Sequence, residues 1–271
     1  TLLPTAGSIE VLGTDMARRA ASVQPRIGYM SQRFSLFEDL TVEENLRFYG
    51  GVYGLDAATF AEVRALFDHH GLVFLRDQQL SEADHIALAE RFGTINVNRF
   101  FVRHPEHPEI AMVTKEPGQR LNVGGFWHTD HSYDLEPALG SVLVARELPT
   151  SGGDTQFLST YDAFAVLPAH LQERLRGMRA VHSAKHAFGT TSSKIRQWID
   201  PTFATENTDV ADGLGAVTHP AVIRHPRSGR EALFVNPSFT IRFEGMSVAR
   251  SAPLLASVHA RVLRSAGVAN F

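Results

Sequence analysis

The sequence predicts a mainly β fold with flanking helices, preceded by a small α/β piece. The main observation is a series of short apolar segments separated by Gly- and Pro-containing turns after about residue 110, which is typical of a sandwich or barrel rather than a parallel sheet. Two stretches with helical spacing of apolar residues precede that series. The length, 271 residues, suffices for one large β domain or two small ones, each with its own core.

The first part of the chain has a different pattern from the rest. Residues 8–12 and 26–30 have the composition of short strands, and 41–49 has that of a helix with a Thr cap at its start. The composition changes near Gly54. We therefore expect a small α/β segment at 1–54 and a second domain at 55–271.

Two helices open the second domain. The first begins after Asp56 and ends at Gly71, because apolar residues recur at helical spacing between them. The second is capped by Ser81 and ends at Gly93.

Most of the following elements are predicted strands. They cover 110–114, 126–133, 141–147, 155–159, 178–183, 220–224, 232–236 and 239–243. Helices are expected at 161–167 and 168–176, and the polar segment 202–214 is predicted to be an exposed, mobile loop.

Composition excludes several kinds of function. A net charge of −3 gives no positive surface for nucleic acid or for an anionic membrane, and the absence of cysteine excludes disulfides and thiolate metal sites. No apolar run approaches the roughly 18 residues that a membrane-spanning helix needs, and no signal peptide is recognisable. We expect a cytoplasmic protein that acts on a small molecule and does not insert into a membrane; a homo-oligomer stays open.

The sequence Trp127-His128-Thr129-Asp130 contains the strongest chemical signal. On a strand, His128 and Asp130 would point to the same face, because side chains alternate. An imidazole and a carboxylate placed side by side are two of the three ligands of a 2-His-1-carboxylate iron(II) site. The imidazole must be neutral to bind, so metal binding is expected to weaken in acid.

Seven blocks of sequence in a fixed order carry a family resemblance. They begin at His70, Arg91, His104, Phe126, Gly152, His225 and Leu233. Over about residues 55–263 the chain resembles the taurine dioxygenase (TauD/TfdA-like) family of iron(II)- and 2-oxoglutarate-dependent dioxygenases. The resemblance implies a double-stranded β-helix (jelly-roll) core, and Fe(II), 2-oxoglutarate and O₂ as metal and co-substrates. It also implies hydroxylation of a small anionic organic substrate, such as taurine, another sulfonate or an aryloxy acid.

The resemblance also assigns roles to individual residues. It makes His128 and Asp130 the iron ligands, and Thr155 a hydrogen-bond donor to the 2-oxoglutarate carboxylate. Asn98, Arg99 and Asn122 fall where relatives place substrate-facing residues. Thr155 could instead simply fill a strand, and the other three could cap loops or face solvent.

One part of the family pattern is missing from this sequence. Relatives supply a second iron-binding His and an Arg for 2-oxoglutarate from a later region rich in Trp and Asp-Asn-Arg, which has no counterpart before Phe271. The expectation is a C-terminally truncated domain with an incomplete core and impaired activity.

Residues 1–54 resemble an internal fragment of an ABC-transporter ATP-binding subunit. The match runs through Arg26-Ile27-Gly28-Tyr29-Met30-Ser31-Gln32, and the resemblance makes Gln32 the Q-loop residue. Nucleotide binding needs a Gly-rich loop with its Lys, and no Gly-Lys dipeptide occurs anywhere in the sequence. We interpret the segment as a remnant, joined to the oxygenase naturally or by a sequence join. The alternative functions are an ATP-binding transport subunit and a non-catalytic jelly-roll binding protein.

Overall fold

The computed structural model describes residues 57–76, 78, 80–201 and 207–265, together with short strands at 10–11, 14–15 and 268–270. The chain divides into two compact units, Thr1–Ala65 and Leu66–Phe271. In the first unit, β1 (Glu10–Val11) pairs antiparallel with β2 (Thr14–Asp15). The segments 26–30 and 41–49 and the side chain of Gln32 lie outside the described residues, and the domain boundary at Gly54 stays a prediction.

The two helices that were predicted near residues 56–93 are confirmed. Helix α1 is Ala57–His70, and Gly71 ends it with a φ of +74° while its N–H donates to the Phe67 carbonyl at 2.8 Å. Helix α2 is Glu82–Glu90. It begins at Ser81, whose hydroxyl accepts from the Asp84 N–H while the Asp84 carboxylate accepts from the Ser81 N–H.

The later part of the second unit alternates helices and short strands. The helices are α3 (Thr160–Ala165), α4 (Ala169–Arg176), α5 (Lys185–Phe188), α6 (Thr190–Ile199), α7 (Thr208–Gly213) and α8 (Val248–Ser265). The strands are β3 (Gln156–Leu158), β4 (Arg179–His182), β5 (Val217–Pro220), β6 (Val222–Arg224), β7 (Glu231–Leu233), β8 (Thr240–Phe243) and β9 (Val268–Asn270). None of the helices in the described part of the chain is long and apolar enough to cross a membrane.

The strand pairs in the described residues are all antiparallel. Strand β4 lies in the middle of a three-stranded sheet between β5 and β8, whereas β6 with β7 and β3 with β9 form two-stranded ladders. The β4–β8 register shifts between Val181 and His182. Five of the eight strand regions predicted after residue 110, those near 155–159, 178–183, 220–224, 232–236 and 239–243, overlap observed strands.

Two hydrophobic clusters stabilise the second unit. The larger one joins α3 and α4 to β4, β7, β8 and α8, with Leu175, Ala180, Phe243 and Val258 fully buried. The smaller one contains Phe100, Tyr133, Ala184, Ala187, Ala211 and Phe239. It packs beneath residues 126–134, the segment that carries the predicted iron ligands.

The prediction of a mainly β chain is only partly correct, because helices hold more of the described residues than strands do. The regions 126–133 and 141–147 form no strand, and 110–114 contributes a single bridge, between Arg103 and Ala111. Side chains bind backbone carbonyls in the second of these regions: the His85 Nε2–H donates to the Val142 carbonyl at 2.9 Å. The alternation of apolar residues did not predict this hydrogen bond, because it carries no information about which groups bond to the backbone.

The predicted loop at 202–214 is also corrected in part. Residues 208–213 form helix α7, and Ala211 on it is fully buried in the smaller cluster. The carboxylate of Asp212 accepts from the Thr190 N–H at 3.1 Å, which ties α7 to the start of α6. The polar composition of 202–214 gave no indication that Ala211 would be buried. Residues 202–206 lie outside the described residues.

His182 on β4 makes the stability of this unit depend on pH. Its side chain is fully buried, and burial, with a smaller contribution from the nearby His219, lowers the pKa of His182 to about 4. In the unfolded chain this His has its ordinary pKa. Between that pH and about pH 4, the unfolded state therefore binds a proton at His182 and the folded state does not. Stability is therefore complete above the unfolded pKa and is lost as the pH falls toward 4.

We expect the free energy of unfolding to fall by about 2 kcal/mol between pH 7 and pH 5 from this group alone. Urea unfolding at both pH values measures the loss, and His182→Asn should reduce it by about that amount. An unchanged difference between the two pH values in His182→Asn would contradict the assignment.

Candidate metal site

The segment 126–134 is a turn-rich loop rather than the predicted strand. Its backbone reverses twice: the Ser132 N–H donates to the Thr129 carbonyl at 3.4 Å, and the Asp134 N–H donates to the His131 carbonyl at 2.9 Å. His131 has a φ of +55°, in the left-handed region that few side chains adopt. Its Nδ1 lies 2.8 Å from a carboxylate oxygen of Asp134, which compensates for this backbone conformation.

His128 and Asp130 nevertheless face each other across this loop. The distance from His128 Nε2 to Asp130 Oδ1 is 3.2 Å. The structure thus brings together the two side chains that the sequence selected, although strand alternation is the wrong reason for it.

Each of the two side chains is oriented by a second contact. His128 Nδ1 lies 2.7 Å from the Phe126 carbonyl, so Nδ1 carries a proton and donates it. The Ser141 hydroxyl donates to Asp130 Oδ2 at 2.8 Å, which leaves Oδ1 directed at His128. Metal-binding histidines usually donate their other ring N–H in this way, which leaves the opposite nitrogen for the ion.

The charges of the pair are coupled. The hydrogen bond to Asp130 raises the pKa of His128, although burial opposes the shift. The hydrogen bond from His128 lowers the pKa of Asp130, and Ser141 adds to that effect. When His128 is protonated, its Nε2–H donates to Asp130 Oδ1. A divalent cation would take the place of that proton and be bound by both the imidazole nitrogen and the carboxylate oxygen.

The donor set fits two of the positions that iron(II) requires. All thirteen histidines of the sequence lie in the described residues. Within that part of the chain, no group of three His, Cys, Asp or Glu side chains is placed to hold a metal ion. His128 and Asp130 would therefore bind a cation together, and the described residues supply no third protein ligand of these types.

A cavity opens beside His128. Its volume is about 70 Å³, and it is open to solvent on one side. Its walls are mostly apolar, with Trp127, Leu158, Leu233, Val235 and Val262 among them. His259 also lines it, and burial lowers the pKa of His259, so this imidazole is neutral near pH 7. The cavity is therefore a small, mostly apolar recess next to His128.

The other predicted site residues are not gathered at this pair by any described contact. Thr155 is exposed just before β3. The Asn98 side chain accepts from the Phe100 N–H at 2.8 Å, and Arg99 forms an ion pair with Asp134. Asn122 is exposed in a turn, where its carbonyl accepts from the Gly125 N–H at 3.2 Å. Their assignment to substrate or co-substrate stays a prediction.

Sequence reasoning missed three neighbours of the ligand pair. Ser141 orients Asp130, and the Phe239 ring meets the His128 ring edge-on with centroids 6.2 Å apart. Gly124 has a φ of +70°, and a Cβ there would lie 3.3 Å from the Cε1 atom of His128. The glycine pair at 124–125 was the one available signal; the other two contacts come from distant parts of the chain.

Comparison with known proteins finds related dioxygenases and synthases. Pentalenolactone F synthase of Streptomyces avermitilis is 32% identical over 210 residues, which cover 73% of this chain and 68% of that protein. The alpha-ketoglutarate-dependent 2,4-dichlorophenoxyacetate dioxygenase of Cupriavidus pinatubonensis is 31% identical over 226 residues, 75% of this chain and 73% of that protein. The crystal structure of a taurine dioxygenase from Burkholderia xenovorans superposes with a TM-score of 0.61 at 27% identity, covering 80% of this chain and 68% of that one.

The sequence profile of one family matches most of the chain. The profile described as "Taurine catabolism dioxygenase TauD, TfdA family" matches residues 42–264. The match begins twelve residues ahead of Gly54, and it includes the loop with His128 and Asp130 as well as most of α8. Dioxygenases of this family have a jelly-roll fold and use Fe(II), 2-oxoglutarate and O₂. The chain therefore belongs to the TauD/TfdA family of 2-oxoglutarate-dependent dioxygenases.

Proposed function

We propose that this chain is an iron(II)- and 2-oxoglutarate-dependent dioxygenase domain that hydroxylates a small anionic organic molecule, such as a sulfonate or an aryloxy acid. The observation that carries the proposal is the His128–Asp130 pair. Its nitrogen and oxygen lie 3.2 Å apart, each side chain is held by a further hydrogen bond, and a cavity adjoins the pair. Family membership supports the same reaction class.

His128 Nε2 and Asp130 Oδ1 would hold the metal. When bound, iron(II) supplies oxidative chemistry that couples the decarboxylation of 2-oxoglutarate to succinate with hydroxylation of the substrate. The Phe126 carbonyl keeps the proton of His128 on Nδ1, and Ser141 keeps Asp130 Oδ2 occupied. The apolar wall at Leu233 and Val235 limits the access of water to the reacting molecule.

We propose roles in binding the co-substrate and the substrate for the remaining predicted residues. Thr155 would donate its hydroxyl to the distal carboxylate of 2-oxoglutarate, and Asn98, Arg99 and Asn122 would face the substrate. Arg99 already pairs with Asp134, whose other carboxylate oxygen binds His131. An anionic substrate would thus meet an arginine whose charge is partly balanced, so we expect Arg99 to orient the substrate more than to provide its main affinity.

We further propose that full turnover needs a second histidine and a cation for 2-oxoglutarate in addition to the described residues. The described part of the chain offers no third ligand next to His128 and Asp130. An ion held by two protein ligands keeps more water than an ion held by three, so its binding is weaker. In this form the domain would be impaired as a catalyst while retaining measurable metal affinity.

Residues 1–54 are proposed to be a remnant of an ATP-binding subunit without nucleotide chemistry. Because no Gly-Lys loop is present to hold phosphates, we expect the purified chain neither to bind MgATP nor to hydrolyse it. Isothermal titration with MgATP and a phosphate-release assay test this. Saturable micromolar binding that is lost in Gln32→Ala would contradict the proposal and favour a transport function.

A further inference from the structure

A cluster of four buried polar side chains lies behind the metal-binding loop. Ser132 belongs to the loop, His182 to β4 and Thr240 to β8, and Asn236 precedes β8. All four are buried, Ser132 and His182 completely. Buried polar groups of this kind are costly unless their hydrogen bonds are satisfied, so their arrangement is a strong constraint on the structure.

The hydrogen bonds within the cluster determine where the protons are. The Asn236 Nδ2–H donates to the Ser132 hydroxyl oxygen at 3.1 Å, and the Asn236 backbone N–H donates to the Thr240 hydroxyl oxygen at 2.9 Å. Both hydroxyl protons are then free to point at His182 Nδ1, which lies 3.3 Å from Ser132 Oγ and 3.4 Å from Thr240 Oγ1. Burial keeps His182 neutral, and when its proton is on Nε2 its Nδ1 can accept from these hydroxyl groups.

Residues 236–240 form a turn that contacts the metal-binding loop on both sides of His128 and Asp130. Ser238 donates its hydroxyl proton to the Trp127 carbonyl at 3.0 Å, and Asn236 holds Ser132. Trp127 immediately precedes His128, and Ser132 follows Asp130 by two residues. A hydrogen bond within this turn stabilises it: the Phe239 N–H donates to Asn236 Oδ1 at 2.9 Å.

We propose that Ser132, His182, Asn236, Ser238 and Thr240 form a clamp that fixes residues 127–132, so that His128 and Asp130 are positioned before a metal ion binds. The inference deepens the proposed function, because the positioned residues are its metal ligands. None of the five would touch the ion; they act through the backbone of the loop. His182 is a positioning residue that supplies the one acceptor on which two hydroxyl groups converge.

The test compares Ser132→Ala with Ser251→Ala, a matched control. Both serines are completely buried and both hydroxyls accept a hydrogen bond: Ser132 accepts from the Asn236 side chain, whereas Ser251, on α8, accepts from the Phe243 N–H at 3.0 Å. The first readout is hydrogen exchange of the amides of residues 128–132 in the full chain without metal. We expect exchange at these amides to be about 10-fold faster in Ser132→Ala and unchanged in Ser251→Ala.

The second readout is a titration with cobalt(II) followed by its visible absorption. Loss of outer contacts at metal sites costs about 10- to 100-fold in affinity, so Ser132→Ala and Ser238→Ala should weaken binding by that factor while Ser251→Ala should not. His182→Asn keeps an acceptor close to the position of Nδ1 and should retain most of the affinity, whereas His182→Leu should lose it. If His182→Leu does not fold, the two serine variants give the comparison alone.

The outcomes separate the clamp from the proposed function. Equal exchange at 128–132 in Ser132→Ala and Ser251→Ala would overturn the clamp whether or not the chain binds metal. Cobalt binding that is unaffected by His128→Ala would instead overturn the proposed function, and the exchange result would still decide on the clamp. Faster exchange together with weaker, His128-dependent cobalt binding supports both.

Discussion

His128→Ala and Asp130→Ala should each abolish the binding of iron(II), and of cobalt(II) as its spectroscopic probe. The pair supplies both protein donors at the site, so either substitution leaves a single ligand. Losing an outer contact already costs about 10- to 100-fold in affinity, and losing a direct ligand should cost at least about 100-fold. Anaerobic titration of the purified chain, with metal content measured after gel filtration, gives the affinity directly.

His170→Ala is a suitable control for this experiment. His170 is exposed on α4, so its removal changes the number of histidines without altering the loop. Wild-type affinity is expected for this variant. If His128→Ala and Asp130→Ala also bind metal as tightly as the wild type, the metal site lies elsewhere and the proposed function is wrong.

The chain by itself should form little succinate, and fusion of the C-terminal segment of a relative should raise its turnover strongly. The reason is that none of the other twelve histidines, all within the described residues, joins His128 and Asp130 in a group that could hold a metal. A fused segment would bring the second histidine and an arginine for 2-oxoglutarate. A hydrogen bond to a charged group is worth about 1.5–3 kcal/mol, so Thr155 alone cannot replace a bidentate arginine. Succinate formation from 2-oxoglutarate under oxygen, with iron(II) and ascorbate, is the measurement.

Two further proteins make the fusion experiment decisive. A fusion in which the added histidine is replaced by Ala should fall back to the level of the unextended chain, as should the intact fusion with His128→Ala. Robust succinate production by the unextended chain, lost in His128→Ala, would show that its third ligand is internal and would refute the expected impairment.

Local sequence signals predicted the end of α1 and the start of α2 well, whereas α7 was predicted to be a loop. Ser81 and Gly71 determine helix ends through hydrogen bonds within a few residues, so the sequence alone contains the necessary information. The predicted strands at 126–133 and 141–147 failed because strand formation requires a distant partner. Side-chain hydrogen bonds are found in these segments instead of a strand partner. His85 donates to the Val142 carbonyl, and Ser141 donates to the Asp130 carboxylate.

The candidate site was predictable in its chemistry but not in its geometry. The side chains of a His and an Asp two residues apart can meet whether the backbone is a strand or a turn, and here the turn places them 3.2 Å apart. Their role as metal ligands stays a prediction. The contribution of Phe239 and of the Ser132–His182 contact could not be read from the sequence. His128 and Phe239 are 111 residues apart in the sequence, and Ser132 and His182 are 50 residues apart, so local patterns do not reveal that they are in contact.

The pairing of β3 with β9 has a consequence for the order of folding. Gln156 pairs with Asn270, so this three-residue ladder closes a chain segment of more than a hundred residues, whereas β4 and β5 meet across a much shorter one. Long closures cost more entropy, and a three-residue ladder returns few hydrogen bonds for that cost. The terminal strand is therefore expected to join last and to detach first. Thr155, which directly precedes β3, would then be in a fixed position only after the rest of the unit has folded.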